Sequence, residues 1–97
     1  MKRSLHPGAR QDVADAMDFY TQHASAHVAA RFLDEFERVV RLLIEHPGFG
    51  TPMVGGRRVF PLKAFPYSVV YHAKGERLRI LIVRHQSRKP GFSDNRH

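Results

Sequence analysis

The sequence contains no cysteine, which excludes disulfides, thiolate metal sites and cysteine nucleophiles together. Long apolar runs are also missing. Nothing approaches the roughly 20 residues a membrane helix needs, and Met1 to Arg10 lacks the apolar centre of a signal peptide. A cytoplasmic protein without membrane contact is therefore expected. Acidic residues are scarce, but in one half only. From Met1 to Gly50 there are 6 Lys+Arg against 7 Asp+Glu, and from Thr51 to His97 there are 10 against 2. The second half is thus +8 and the first −1, so the second half carries all of the formal net charge of +7. Such asymmetry points to an acidic partner, either nucleic acid or an acidic protein segment.

The familiar catalytic signatures are lacking too. The glycines Gly48, Gly50, Gly55 and Gly56 belong to no GxxxxGK[ST] loop, and no helix follows them to present its N-terminus to a phosphate. No GxSxG elbow surrounds Ser4, Ser25, Ser68, Ser87 or Ser93. His23 and His27 are four apart, yet an expected helix break lies between them and no HExxH pattern accompanies them. Neither a metal nor a cofactor is expected.

What is present is a chain of 97 residues with 42% hydrophobic and 10% aromatic content, enough for one globular domain spanning residues 1–97 and too little for two. Met1 to Leu5 reads as a short opening or edge strand. After Pro7, a residue suited to a first helical turn, Ala9, Val13, Ala16, Met17, Tyr20 and Ala24 recur at spacings of three and four. A second helix opens at Ser25, a good N-cap, and carries Val28, Phe32, Phe36, Val39, Val40 and Leu43 until His46-Pro47-Gly48 stops it. On its outer face Asp34 with Arg38, and Glu37 with Arg41, have the spacing of helical ion pairs.

Phe49 to Gly56 reads as a loop. Arg58 to Leu62 is a short strand that Pro61 confines to an edge, and Tyr67 to Ala73 a stronger one. Lys74-Gly75-Glu76 closes a hairpin into Arg77 to His85. In that last strand strict alternation turns Leu78, Ile80 and Ile82 one way and Leu81 and Val83 the other, so both faces are apolar and the strand is central. The expected fold is α+β in the order β-α-α-β-β-β, with an N-terminal helical hairpin on one face of a small antiparallel sheet.

The chemistry left over is cationic. Arg57, Arg58, Lys63, His72, Arg79, Arg84, His85, Arg88 and Lys89 gather on the expected sheet and its ends. Arginine forks and lysine charges there suit a phosphate backbone or an acidic peptide. A metal-free ribonuclease would further need a group titrating near neutrality, and only His72 and His85 qualify. Tyr67 and Tyr71 read as core or stacking aromatics.

Taken together, DFY (Asp18–Tyr20), ARFLDEFE (Ala30–Glu37), EHPGFGTP (Glu45–Pro52), GGRRVFPL (Gly55–Leu62), FPYSVVY (Phe65–Tyr71) and ILIVRHQSRKP (Ile80–Pro90) resemble the ParE/RelE superfamily of small toxins from bacterial toxin–antitoxin modules. The resemblance implies a cognate acidic antitoxin that folds over the toxin. It also implies one of two activities: inhibition of DNA gyrase, as in ParE-like members, or mRNA cleavage on the ribosome, as in RelE-like members. RelE-like enzymes usually carry an arginine directly after the tyrosine that begins the third strand, where this chain has Ser68. A second expected arginine falls near Ser87, with Arg88 one position on, and the C-terminal tyrosine region holds only Phe92. The ParE-like reading therefore leads. The ribonuclease alternative would use His85 as acid/base with Arg84, Arg88 and Lys63 as phosphate clamps, and a non-toxic adaptor of the same fold is the third reading.

Overall fold

One side-chain cap sets the start of each helix. Pro7 opens α1 (Pro7–His23), and the His6 ring accepts the Gly8 N–H through Nδ1 at 2.9 Å, an unusual cap that satisfies one of the first-turn donors. Ser25 Oγ accepts the Val28 N–H at 3.1 Å and starts α2 (Ala26–Glu45). The computed structural model describes residues 2–87. Around the helices run β1 (Lys2–Leu5), a 3-10 turn (Pro47–Phe49), β2 (Thr51–Pro52), β3 (Arg58–Pro61), β4 (Tyr67–Lys74) and β5 (Arg77–His85).

The strands form one sheet in the order β1-β5-β4-β3-β2. The α+β order expected from the sequence holds, with two additions. β1 pairs parallel to β5, so the sheet is mixed. The expected loop after α2 contains the 3-10 turn and the two-residue strand β2, which pairs only with Arg58 and Val59. β3 is consequently bordered along half its length, and Pro61, lacking an N–H, falls in the half left open.

Both helices cover one face of the sheet. Ala9, Val13 and Ala16 of α1 and Phe32, Phe36, Val39, Val40 and Leu43 of α2 meet Val69, Tyr71, Leu78, Ile80 and Val83 in the main core. Phe32 is fully buried, with the rings of Phe65 and Tyr67 5.3 and 5.2 Å away in edge-to-face contact. Burying such a side chain contributes about 1.5–3 kcal/mol by the area rule.

One feature of β5 departs from strict alternation. Val70 pairs with Ile82 but Tyr71 pairs with Ile80, which leaves Leu81 as an extra residue in a β-bulge. Leu78, Ile80 and Val83 therefore face the helices, while Leu81 and Ile82 lie with Val70, Val59 and Met53 in a second cluster on the opposite face. The expected grouping of Ile82 with Leu78 and Ile80, and of Val83 with Leu81, is corrected accordingly.

The ion pairs on α2 also differ from expectation. Arg38 grips Glu35, with Nε and Nη2 at 2.7 and 2.8 Å, rather than Asp34. Glu37 is taken by Arg3 of β1 at 2.8 Å rather than by Arg41. The reason lies beyond the helix: Glu35 faces the β3–β4 connection and accepts the Lys63 N–H at 2.6 Å. Its carboxyl is held below the ordinary value chiefly by the hydrogen bond from Arg38, with the Lys63 N–H adding to it against burial.

Candidate functional site

The sheet presents one face to the helices and an open face on the other side, and strand alternation distributes the cations between them. On β4 the open face carries Ser68, Val70, His72 and Lys74, because Val69 and Tyr71 are in the main core. On β5 it carries Arg77, Arg79, Leu81, Ile82 and Arg84 by the same argument, allowing for the bulge. Register places His72 opposite Arg79 and Lys74 opposite Arg77. These four, with Ser4 of β1, line a shallow cavity of about 300 Å³. Arg79 reaches across to β1 and donates from Nη1 to Ser4 Oγ at 3.0 Å. Beside this basic cavity lies the small apolar cluster of Val70, Leu81 and Ile82.

Of the cations singled out from the sequence, His72 and Arg79 thus come together, with Arg84 further along the same face and Arg57 at the entry to β3. The others go elsewhere. Arg58 turns to the β2 side and donates to the Gly50 carbonyl at 2.7 Å and the Gly48 carbonyl at 3.3 Å. Lys63 lines a separate groove against Arg31, Asp34, Glu35, Arg38 and Arg41 of α2. His85 lies on the helix side, edge-to-face on Tyr67 at 5.3 Å, in a cavity shared with Asp12, Asp15 and Phe19 of α1. Its Nδ1 is 2.7 Å from Ser87 Oγ. Arg88 and Lys89 lie outside the described residues.

Lys74 and Arg77 were missed as site residues because they flank a turn. The available signal was the hairpin itself: His72 with Lys74, and Arg77 with Arg79, are i, i+2 pairs on strands joined by a two-residue turn, and such pairs share a face. Asp12 was missed as well. Past the end of β1 its carboxylate accepts the Val83 N–H at 3.0 Å, satisfying a backbone donor of β5 that no strand covers. Tyr71 serves the scaffold. Its buried hydroxyl accepts the Gly50 N–H at 2.9 Å and donates to the Pro47 carbonyl at 2.6 Å, and burial pushes its pKa up.

Comparison with known proteins connects this arrangement to a family. The family model for the ParE toxin of the type II toxin–antitoxin system parDE matches residues 4–90. The chain belongs to the ParE toxin family. It is 30% identical over 79 residues to Toxin ParE1 of Caulobacter vibrioides, a match covering 81% of this chain and 82% of that protein. Its fold is that of a chain in the chromosomal ParDE toxin–antitoxin system from P. aeruginosa, at a TM-score of 0.78 and 24% identity, covering 88% of this chain and 95% of that one. As a ParE toxin of a type II module, the chain has a protein antitoxin as its partner. Among the described residues, no helix is long and apolar enough to cross a membrane.

Proposed function

We propose that this ParE-family toxin acts in the cytoplasm by binding a macromolecular target, DNA gyrase in the first instance, and not by cleaving RNA. The observation that carries this reading is the company kept by His85. A ribonuclease would need cations around its proton carrier to hold the charge that develops on phosphorus. Here the cavity of His85 is lined by the carboxylates of Asp12 and Asp15, which repel a phosphate. The cations offered for the same task are dispersed, Lys63 to the α2 groove and Arg84 to the open sheet face. Ser68, at the start of β4, supplies no further charge.

The polar residues of the open face, His72 with the cations Lys74, Arg77 and Arg79 and with Arg57 and Arg84 beyond them, are assigned to negatively charged partners: an acidic segment of the antitoxin, and the target when the antitoxin is absent. Neutralisation then consists of covering charges that the target would otherwise meet. Purified toxin should inhibit gyrase supercoiling, and addition of the antitoxin should relieve that inhibition. Ribosome-dependent message cleavage that is abolished by His85→Ala would overturn the proposal.

A further inference from the structure

The two edges of the sheet are not alike. At one end β2 is two residues long and one of them is Pro52, which has no N–H, so that edge is blunted against another strand. At the other end β1 has four residues, no proline, and pairs along one side only. Its backbone directions follow from the bonds to the β5 side. The Lys2 N–H donates to the Glu76 carbonyl and the His6 N–H to the Ile80 carbonyl, both at 2.8 Å. In a parallel ladder alternate residues point to opposite sides, so the N–H and C=O groups of Arg3 and Leu5 face outward. They make no backbone hydrogen bond among the described residues. The protein uses the Asp12 side chain to occupy β5's edge where β1 ends, yet among the described residues no strand pairs with the outer side of β1.

The charges beside this edge select what can join it. Lys2 is on the open face at the edge, and the cavity lined by Ser4, Lys74, Arg77 and Arg79 lies immediately inward. The Arg79 guanidinium is drawn to the edge by its bond to Ser4 Oγ. A second copy of the chain would bring to this edge another Lys2 and Arg3 and no carboxylate for the cations already there. An acidic strand meets the opposite situation.

We propose that β1 is a strand-addition edge, and that an extended segment of the antitoxin with carboxylates at alternate positions pairs with Arg3 and Leu5 as a sixth strand. Main-chain bonds then give affinity, and carboxylates on the open-face side, near Lys2, Arg77 and Arg79, give register. The inference rests on the assignment of the acidic antitoxin to the open face, and adds where its chain enters and in what conformation.

The toxin–antitoxin complex, assembled from the purified proteins and verified by gel filtration, allows a direct test by amide hydrogen exchange. The Arg3 and Leu5 amides should exchange at least about tenfold more slowly in the complex than in free toxin. Arg3→Pro provides the second arm: it removes an outward N–H while leaving the bonds to β5 in place, and Arg3→Ala reproduces its loss of the Glu37 ion pair. Arg3→Pro should weaken antitoxin binding about tenfold more than Arg3→Ala, with both variants keeping the wild-type circular dichroism spectrum. A stable complex in which the Arg3 and Leu5 amides exchange as in free toxin overturns the edge inference alone. Failure of any complex to form overturns the antitoxin assignment and the inference with it.

Discussion

Replacing Tyr71 by phenylalanine removes one oxygen and leaves a buried N–H, that of Gly50, and a half-buried carbonyl, that of Pro47, without their partner. The ring itself stays where it is, since Tyr71 is completely buried against the main core. The hydroxyl now accepts from Gly50 N and donates to the Pro47 carbonyl at 2.9 and 2.6 Å. It thereby ties the 3-10 turn and the start of β2 to the middle of β4. Each bond contributes about 1 kcal/mol net, and an orphaned buried group costs somewhat more, so the expected loss is about 2–3 kcal/mol. For a domain of this size that lowers Tm by roughly 10–20 °C. Differential scanning calorimetry of Tyr71→Phe at neutral pH measures it. Affinity for the antitoxin should stay within about threefold, because the hydroxyl lies on the helix side of the sheet, away from the basic cavity. A Tm within about 2 °C of wild type would refute the reasoning, since it would mean that the 47–50 segment is held by other contacts.

Gly50→Ala attacks the same joint from the other side: its new Cβ would lie 2.6 Å from Tyr71 Oη and 2.9 Å from Arg58 Cβ, and chemical denaturation should report a loss of about 1–3 kcal/mol. Phe32→Ala empties the centre of the aromatic cluster and should cost about 3–5 kcal/mol, visible as a lowered urea midpoint with m unchanged. Glu35 has a folded pKa below its ordinary value of 4.5, so its stabilising contribution is present above that value and is lost as pH falls through the folded pKa; Glu35→Gln should lower Tm at pH 7 and flatten the fall in Tm on acidification below pH 4.5. Lys74→Glu with Arg77→Glu should weaken antitoxin binding about tenfold or more at low ionic strength and reduce its salt dependence, measured calorimetrically at about 50 and 300 mM salt. Unaltered affinity and salt dependence would remove the basic cavity from the interface.

The parts of this molecule that were legible in the sequence are those where side-chain pattern and local chemistry agree. Six apolar residues at helical spacing after Ser25 leave α2 no other face to bury, and the cap and the His46-Pro47 stop bound it at both ends. β1 was readable only as a weak strand because KRSL has no alternation, and nothing in four residues reveals that they pair parallel to β5, some 75 positions away. The bulge at Leu81 was hidden for a different reason. In RLRILIVRH nearly every residue is acceptable on either face, so a shift by one costs the pattern nothing, and only the pairing with β4 decides where Ile82 and Val83 go. The same uncertainty governs the site. A charge count found the basic half of the chain, but whether a given cation joins the open face depends on strand phase and on which carbonyls or carboxylates lie nearby. His72 and Arg79 meet because a tight hairpin fixes their register, whereas Arg58 is captured by the Gly48 and Gly50 carbonyls and His85 lands among the carboxylates of α1. Positive charge in this fold is thus partly structural, and the share left for partners is the share that the hairpin, not the composition, holds on one face.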